Sequence, residues 1–243
     1  MQSVILRARL ESAIGERIPS PFTDLDRRVL ESVPTGIAPL DALTGGLPRG
    51  AITEISGPPS SGRTSAMVSI LIEAIANDEV CALVDGNDAF DPKSAAAAGL
   101  ELQRLLWVRC RKLDQVLKST DLLLQGGGFG RVVMDPTDLP LSQVQSVSLA
   151  SWFRFQRTIE KTPTALIAMT PHSVVQSAAA LVLRMHMRNA EWSTTFDGCA
   201  LSRLHSLRSC LAGLNLNIEV VRSRRACSLK SDVRVHLHSE CVR

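Results

Sequence analysis

The sequence contains no tyrosine, and its few Phe and Trp residues bring aromatics to only 4%. A base-stacking platform would have to rest on very few side chains. No apolar run reaches the roughly 18 residues of a membrane-spanning helix, so a membrane is not among the expected partners. Residues 1–14 mix Arg7, Arg9 and Glu11 into their apolar pattern, unlike a secretory signal peptide. The six cysteines (Cys81, Cys110, Cys199, Cys210, Cys227 and Cys241) form no C-x-x-C pair and no metal-like spacing. Without a secretion signal they read as reduced thiols, and the chain as cytoplasmic. A strong charge of one sign is also missing: the net charge is +3. It is unevenly placed, with 10 Lys/Arg against 5 Asp/Glu from Arg184 onward and 17 against 19 before it. A basic C-terminal third permits contact with nucleic acid or an acidic partner, and a solvated basic face explains it equally well.

What is present is 45% apolar residues over 243 positions, enough for one large core or a core with an appendage. Leu6, Leu10, Ala13 and Ile14 recur at helical spacing, so residues 3–16 read as a short amphipathic helix. Gly15, Pro19 and Pro21 stop it, and a polar linker follows. This divides the chain into an N-terminal helix and linker, residues 1–33, and a core domain, residues 34–243. In the core, short apolar runs alternate with helical patterns, as in parallel βαβ units. Strands are expected at 51–56, 80–84 (ending in Asp85), 105–108, 132–134 (ending in Asp135) and 165–169. Helices are expected from Arg63, from Asp91-Pro92 as cap and first turn, around Leu113–Leu124, and on the face bearing Trp152, Phe153, Gln156 and Ile159. In the tail Ile218, Val220, Val233, Val235 and Leu237 alternate with polar residues, as antiparallel strands with one wet face do.

Gly57-Pro58-Pro59-Ser60-Ser61-Gly62-Arg63-Thr64 is the most informative segment. It follows an expected strand and opens an expected helix, the context that the phosphate-loop pattern G-x-x-x-x-G-K-[ST] demands. Glycines let backbone N–H groups close around phosphate, and the helix N-terminus adds positive potential. Gly57, Ser60, Ser61, Gly62, Arg63, Thr64 and Ser65 are therefore the candidate nucleotide-binding residues. Arg63 stands in the lysine's place, a broad planar fork where a slim point charge is usual.

The run from Pro34-Thr35-Gly36 through Gly45-Gly46-Leu47-Pro48-Arg49-Gly50 to Ile52-Thr53-Glu54-Ile55-Ser56-Gly57 resembles the start of the ATPase core of RecA and RadA recombinases. Asp85-Gly86-Asn87-Asp88-Ala89-Phe90-Asp91-Pro92 continues the likeness. The resemblance implies an α/β fold: a RecA-like P-loop core with a mostly parallel central sheet, C-terminal antiparallel strands and a short N-terminal helix. It implies ATP and magnesium as cofactors, with Thr64 and Asp135 (at the Walker B position) as metal ligands. Ser60-Ser61-Gly62-Arg63-Thr64-Ser65, Leu105-Leu106-Trp107-Val108-Arg109-Cys110 and Gly126-Gly127-Gly128-Phe129-Gly130 resemble the ImuA group more narrowly. These are RecA-related accessory proteins of error-prone translesion synthesis in the SOS response to DNA damage. That likeness implies an ImuB-like Y-family polymerase homologue, RecA and an error-prone replicative-type polymerase as partners.

Departures from RecA weigh against catalysis. Asn87 occupies the position of the glutamate that activates water, and an amide is no general base at neutral pH. Asp88 is adjacent, but a one-residue shift at a strand end redirects the side chain. Asp135 is followed by Pro136, and a plain strand-ending turn is the alternative reading there. The stretches matching RecA's two DNA-binding loops, about 137–147 and 170–176, are short, and Thr170-Pro171 replaces the usual Asn-Gln switch. Direct DNA contact is thus expected to be weakened. Pro19 and Pro21 fall where RecA places its polymerisation strand, and proline cannot donate to a sheet ladder. Arg222 and Arg224 resemble a basic pair that acts across the subunit interface on a neighbour's ATP, with a solvated hairpin as the plainer reading. The histidines need no special role, and Trp152, Phe153 and Phe155 read as core rather than as a stacking surface. The expectation is a RecA-like accessory protein of DNA-damage tolerance that scaffolds polymerase partners and has a degenerate ATPase site. A small active DNA-dependent ATPase and an ATP-binding regulator without turnover are the alternatives.

Overall fold

The structure is a computed structural model and describes residues 31–86, 88–193, 210–224 and 232–238. The helix expected at 3–16, the prolines of the linker and Asn87 lie outside the described residues. In chain order the elements are β1 (Ser32–Val33), α1 (Ala38–Thr44), β2 (Leu47–Pro48), β3 (Ile52–Ser56), α2 (Arg63–Ala76) and β4 (Cys81–Asp85). Next come α3 (Pro92–Ala97), β5 (Leu105–Arg109), α4 (Leu113–Gly126), β6 (Arg131–Asp135), α5 (Leu141–Gln145), α6 (Leu149–Ile159) and β7 (Ala165–Thr170). Three long strands finish the order: β8 (Ala179–Ser193), β9 (Cys210–Ser223) and β10 (Asp232–His238).

Eight strands form one sheet in the order β10-β9-β8-β3-β7-β6-β4-β5. β8, β3, β7, β6, β4 and β5 run parallel, and β9 and β10 continue the sheet antiparallel. β4, β6 and β7 are near-continuous apolar runs because both faces are covered. On one face Ile55, Leu83, Val133, Ile167 and Leu183 meet the stripe Ala66, Met67, Ile70, Leu71, Ala74 and Ile75 of α2. On the other, Ile52, Val84, Val132 and Leu166 share a core with Val116 of α4 and with Trp152, Phe155 and Ile159 of α6. Trp152 and Phe155 are fully buried and meet edge to face, with ring centroids 6.0 Å apart. Truncating either ring would cost about 3–5 kcal/mol. These aromatics are core, and Gln156 on the same helix ties the start of β3, accepting from Ile52 N at 3.3 Å and donating to Gly50 O at 3.2 Å.

Most local signals act as the sequence suggests. Asp91 caps α3 by accepting from Lys93 N at 3.1 Å and Ser94 N at 3.3 Å, an arrangement worth about 1 kcal/mol over alanine. Gly127, at a φ of +67°, follows the last residue of α4. β4 starts at Cys81 rather than Val80, which is left 46% exposed just outside the sheet. The main departure is β8, which the polar residues Arg184, His186, Arg188, Asn189 and Glu191 conceal. It is the strand that joins the parallel core to the antiparallel tail, pairing β3 on one side and β9 on the other.

Candidate functional site

The sheet order puts the C-terminal ends of β3, β4 and β6 on one edge of the core, where parallel α/β sheets place their ligands. β3 leads into the phosphate loop. Gly57 N donates to Thr170 O at 3.2 Å, and a Cβ on Gly57 would lie 2.5 Å from both Met185 O and Ser61 Oγ. Only glycine allows the chain to pass that close to β8. Ser60 (φ +61°) and Gly62 (φ +85°) then turn the backbone through the left-handed region, and α2 begins at Arg63. No side chain caps this helix, so its first-turn N–H groups face outward as an anion-binding end.

Two polar groups in the loop have no protein partner. Ser61 is buried to 1% exposure and its Oγ makes no hydrogen bond; Arg63 Nη1 is likewise buried and unpaired. Burial lowers the Arg63 pKa, while the nearby charges of Asp135 and Asp138 act to raise it. Thr64 and Ser65 are exposed. Loop residues 60–65 form one wall of a cavity of about 390 Å³. A cavity bordered by this loop at an uncapped helix N-terminus suits an anionic group such as an oligophosphate.

Asp135 ends β6 beside Asp85 of β4. Its Oδ1 accepts from Thr137 Oγ1 at 2.6 Å and from Thr137 N at 3.1 Å. Burial raises its pKa, opposed by the Thr137 bonds and by Arg63. Thr137 thus engages one carboxylate oxygen of Asp135, and the Arg63 guanidinium supplies positive charge nearby. Among the described residues no group of three or more His, Cys, Asp or Glu is arranged to hold a metal ion.

The loop after β4 is organised by its acids. Asp85 accepts from Ala89 N at 3.1 Å, Phe90 N at 3.0 Å and Trp107 Nε1 at 3.1 Å. Asp88, at a φ of +59°, is clasped by both Nε and Nη2 of Arg109, whose guanidinium lies 5.0 Å from the centre of the Trp107 ring. The Arg109 hydrogen bonds hold the Asp88 pKa below the usual carboxylate range. Such a carboxylate is a poor proton acceptor.

Sequence reasoning missed Glu54, although a carboxylate inside an apolar strand was the available signal. Glu54 is fully buried. Its Oε1 accepts from Thr170 Oγ1 (3.1 Å), Val174 N (2.6 Å) and Val175 N (3.2 Å), and its Oε2 from Ser173 Oγ (2.7 Å). It thereby fastens the short segment after β7. Arg222 and Arg224 are engaged within their own chain. Arg222 Nη2 donates to Ala179 O at 2.6 Å and also to Gln176 O, and Arg224 Nη2 donates to Ser177 O at 2.7 Å.

Comparison with known proteins agrees with this architecture. The RecA N-terminal domain family matches residues 8–143, more than half of the chain. The chain belongs to the RecA family. RecA of Pseudomonas putida is 33% identical over 129 residues, covering 52% of this chain and 36% of that protein. RecA of Symbiobacterium thermophilum is 40% identical over 131 residues, covering 53% and 37%. RecA of Brucella anthropi is 40% identical over 108 residues, covering 44% and 30%. This RecA-family chain thus spans about a third of the length of the curated relatives it matches. No helix among its described residues is long and apolar enough to cross a membrane.

Proposed function

We propose that this RecA-family protein binds a nucleotide at Gly57–Ser65 without turning it over efficiently, and serves as a cytoplasmic accessory protein of DNA-damage tolerance. The observation that carries the reading is the loop 60–65, which turns into the uncapped N-terminus of α2 and borders the cavity with Arg63 in the lysine's place. Ser61 Oγ, Arg63 and the first N–H groups of α2 would hold the phosphates. ATP is the nucleotide that the family resemblance favours. Hydrolysis lacks a base, because the amide Asn87 replaces the expected glutamate and Asp88 is committed to Arg109. A scaffold that holds ImuB-like Y-family and replicative-type polymerases, with RecA, fits a loop that binds but does not cleave.

The likeness of Ser60–Ser65 and of residues 105–110 and 126–130 to the ImuA group supports the cellular role. Two measurements test the reading. The purified full-length chain should bind a fluorescent ATP analogue while releasing phosphate far more slowly than RecA, and it should co-purify with an ImuB-like polymerase homologue. Turnover comparable to RecA, lost on Asp135→Ala, would overturn it. That outcome would favour the second reading, a small DNA-dependent ATPase, which Thr64 on the first turn of α2 and Asp135 at the end of β6 keep in view.

A further inference from the structure

The cavity at the phosphate loop has a second wall of different chemistry. Opposite loop residues 60–65 it is lined by Met187, Ala190 and Trp192 of β8 and Leu214 of β9. Trp192 is 61% exposed and Met187 42%, unusual for large apolar side chains beside a polar loop. The backbone is built to bring them together. The register of β8 against β9 steps from Met187↔Leu216 to Asn189↔Asn215, so Arg188 is an extra residue on β8. Strict alternation would turn Ala190 and Trp192 to the face opposite Met187, and the bulge resets the phase so that all three border one cavity. On the partner strand Leu214 continues the same face as Leu216, whose methyl groups lie where a Cβ on Gly62 would be. The phosphate loop and the apolar shelf are thus packed directly on each other.

We infer that the Trp192–Met187 shelf is the base-binding wall of the site, so that a nucleotide lies with its phosphates on the loop 60–65 at the N-terminus of α2 and its base stacked on Trp192. This rests on the reading that the loop holds phosphate. One ligand class satisfies both walls. A bare oligophosphate leaves the shelf in water, and an apolar peptide leaves the uncapped N-terminus of α2 without an anion. A nucleotide joins an anionic end to a flat aromatic end, and a volume of about 390 Å³ lies within the range of small-ligand sites.

Calorimetric titration of the full-length chain with ATP and with inorganic tripolyphosphate tests the assignment. Base stacking is expected to make ATP bind at least about tenfold more tightly than tripolyphosphate. Trp192→Ala should abolish that difference while leaving tripolyphosphate affinity within about twofold, and Trp192→Phe should keep most of it. ATP binding also perturbs the fluorescence of Trp192, a signal that Trp192→Phe removes. Equal affinities for ATP and tripolyphosphate in the unaltered chain would overturn the base wall and leave phosphate binding standing. An ATP advantage that survives Trp192→Ala would also overturn it. If neither ligand bound, the phosphate-loop reading and the base wall would fall together.

Discussion

Ser173 Oγ stands 2.7 Å from Glu54 Oε2, joining the segment after β7 to a fully buried carboxylate of the neighbouring strand β3. Three further donors converge on the same carboxylate. Glu54→Ala would strand two backbone N–H groups and two hydroxyls, and the expected loss is about 3 kcal/mol in urea unfolding. Glu54→Gln keeps an acceptor for Thr170, Val174 and Val175, so its loss should be clearly smaller. Equal losses for the two variants would show that the network does not stabilise the fold in this way.

The Asp88–Arg109 pair yields a kinetic expectation. Its carboxylate is held ionised and doubly hydrogen-bonded. Asp88→Asn should therefore leave steady-state phosphate release unchanged within about twofold, where loss of a true general base costs about a hundredfold or more.

Arg63→Lys alone should not produce a vigorous ATPase, because Asn87 remains. Combining it with Asn87→Glu restores a candidate base and is expected to raise turnover by about a hundredfold or more over Arg63→Lys. Robust hydrolysis from the single change, measured by phosphate release, would mean that the cation and not the base limits the chemistry.

Metal removal should matter little to binding. Arg63 already supplies positive charge beside Asp135 and Asp138. ATP affinity in excess chelator is expected to lie within about threefold of that with magnesium, a difference of at most about 0.7 kcal/mol. A tenfold or greater loss would restore magnesium as the principal phosphate partner.

Cys81 provides a pH test. Burial pushes its thiol from an ordinary 9.0 up to about 12, against the pull of Arg131, its register neighbour on β6. Because the folded value is the higher one, this group's contribution to stability is complete below about 9 and shrinks as the pH rises towards 12. Iodoacetamide at pH 8 should leave Cys81 unmodified in the folded chain and label it in urea, as peptide mass spectrometry can read. Labelling of the folded chain at pH 8 would contradict the buried environment.

The amino-acid sequence by itself determined what depends on local spacing. The apolar runs specified the parallel strands β3 to β7, Asp91-Pro92 specified the start of α3, and the glycines and following helix pattern specified the phosphate loop. These signals are legible because period, caps and turns act within a few residues. Tertiary structure decided the rest. β8 carries too many polar residues to read as a strand, and its place between β3 and β9 depends on pairing over long chain separations. The roles of Glu54 and of the Asp88–Arg109 clasp exist only once distant segments meet. The phase shift at Arg188 that brings Trp192 to the phosphate loop is a property of strand register, for which no single strand carries the information.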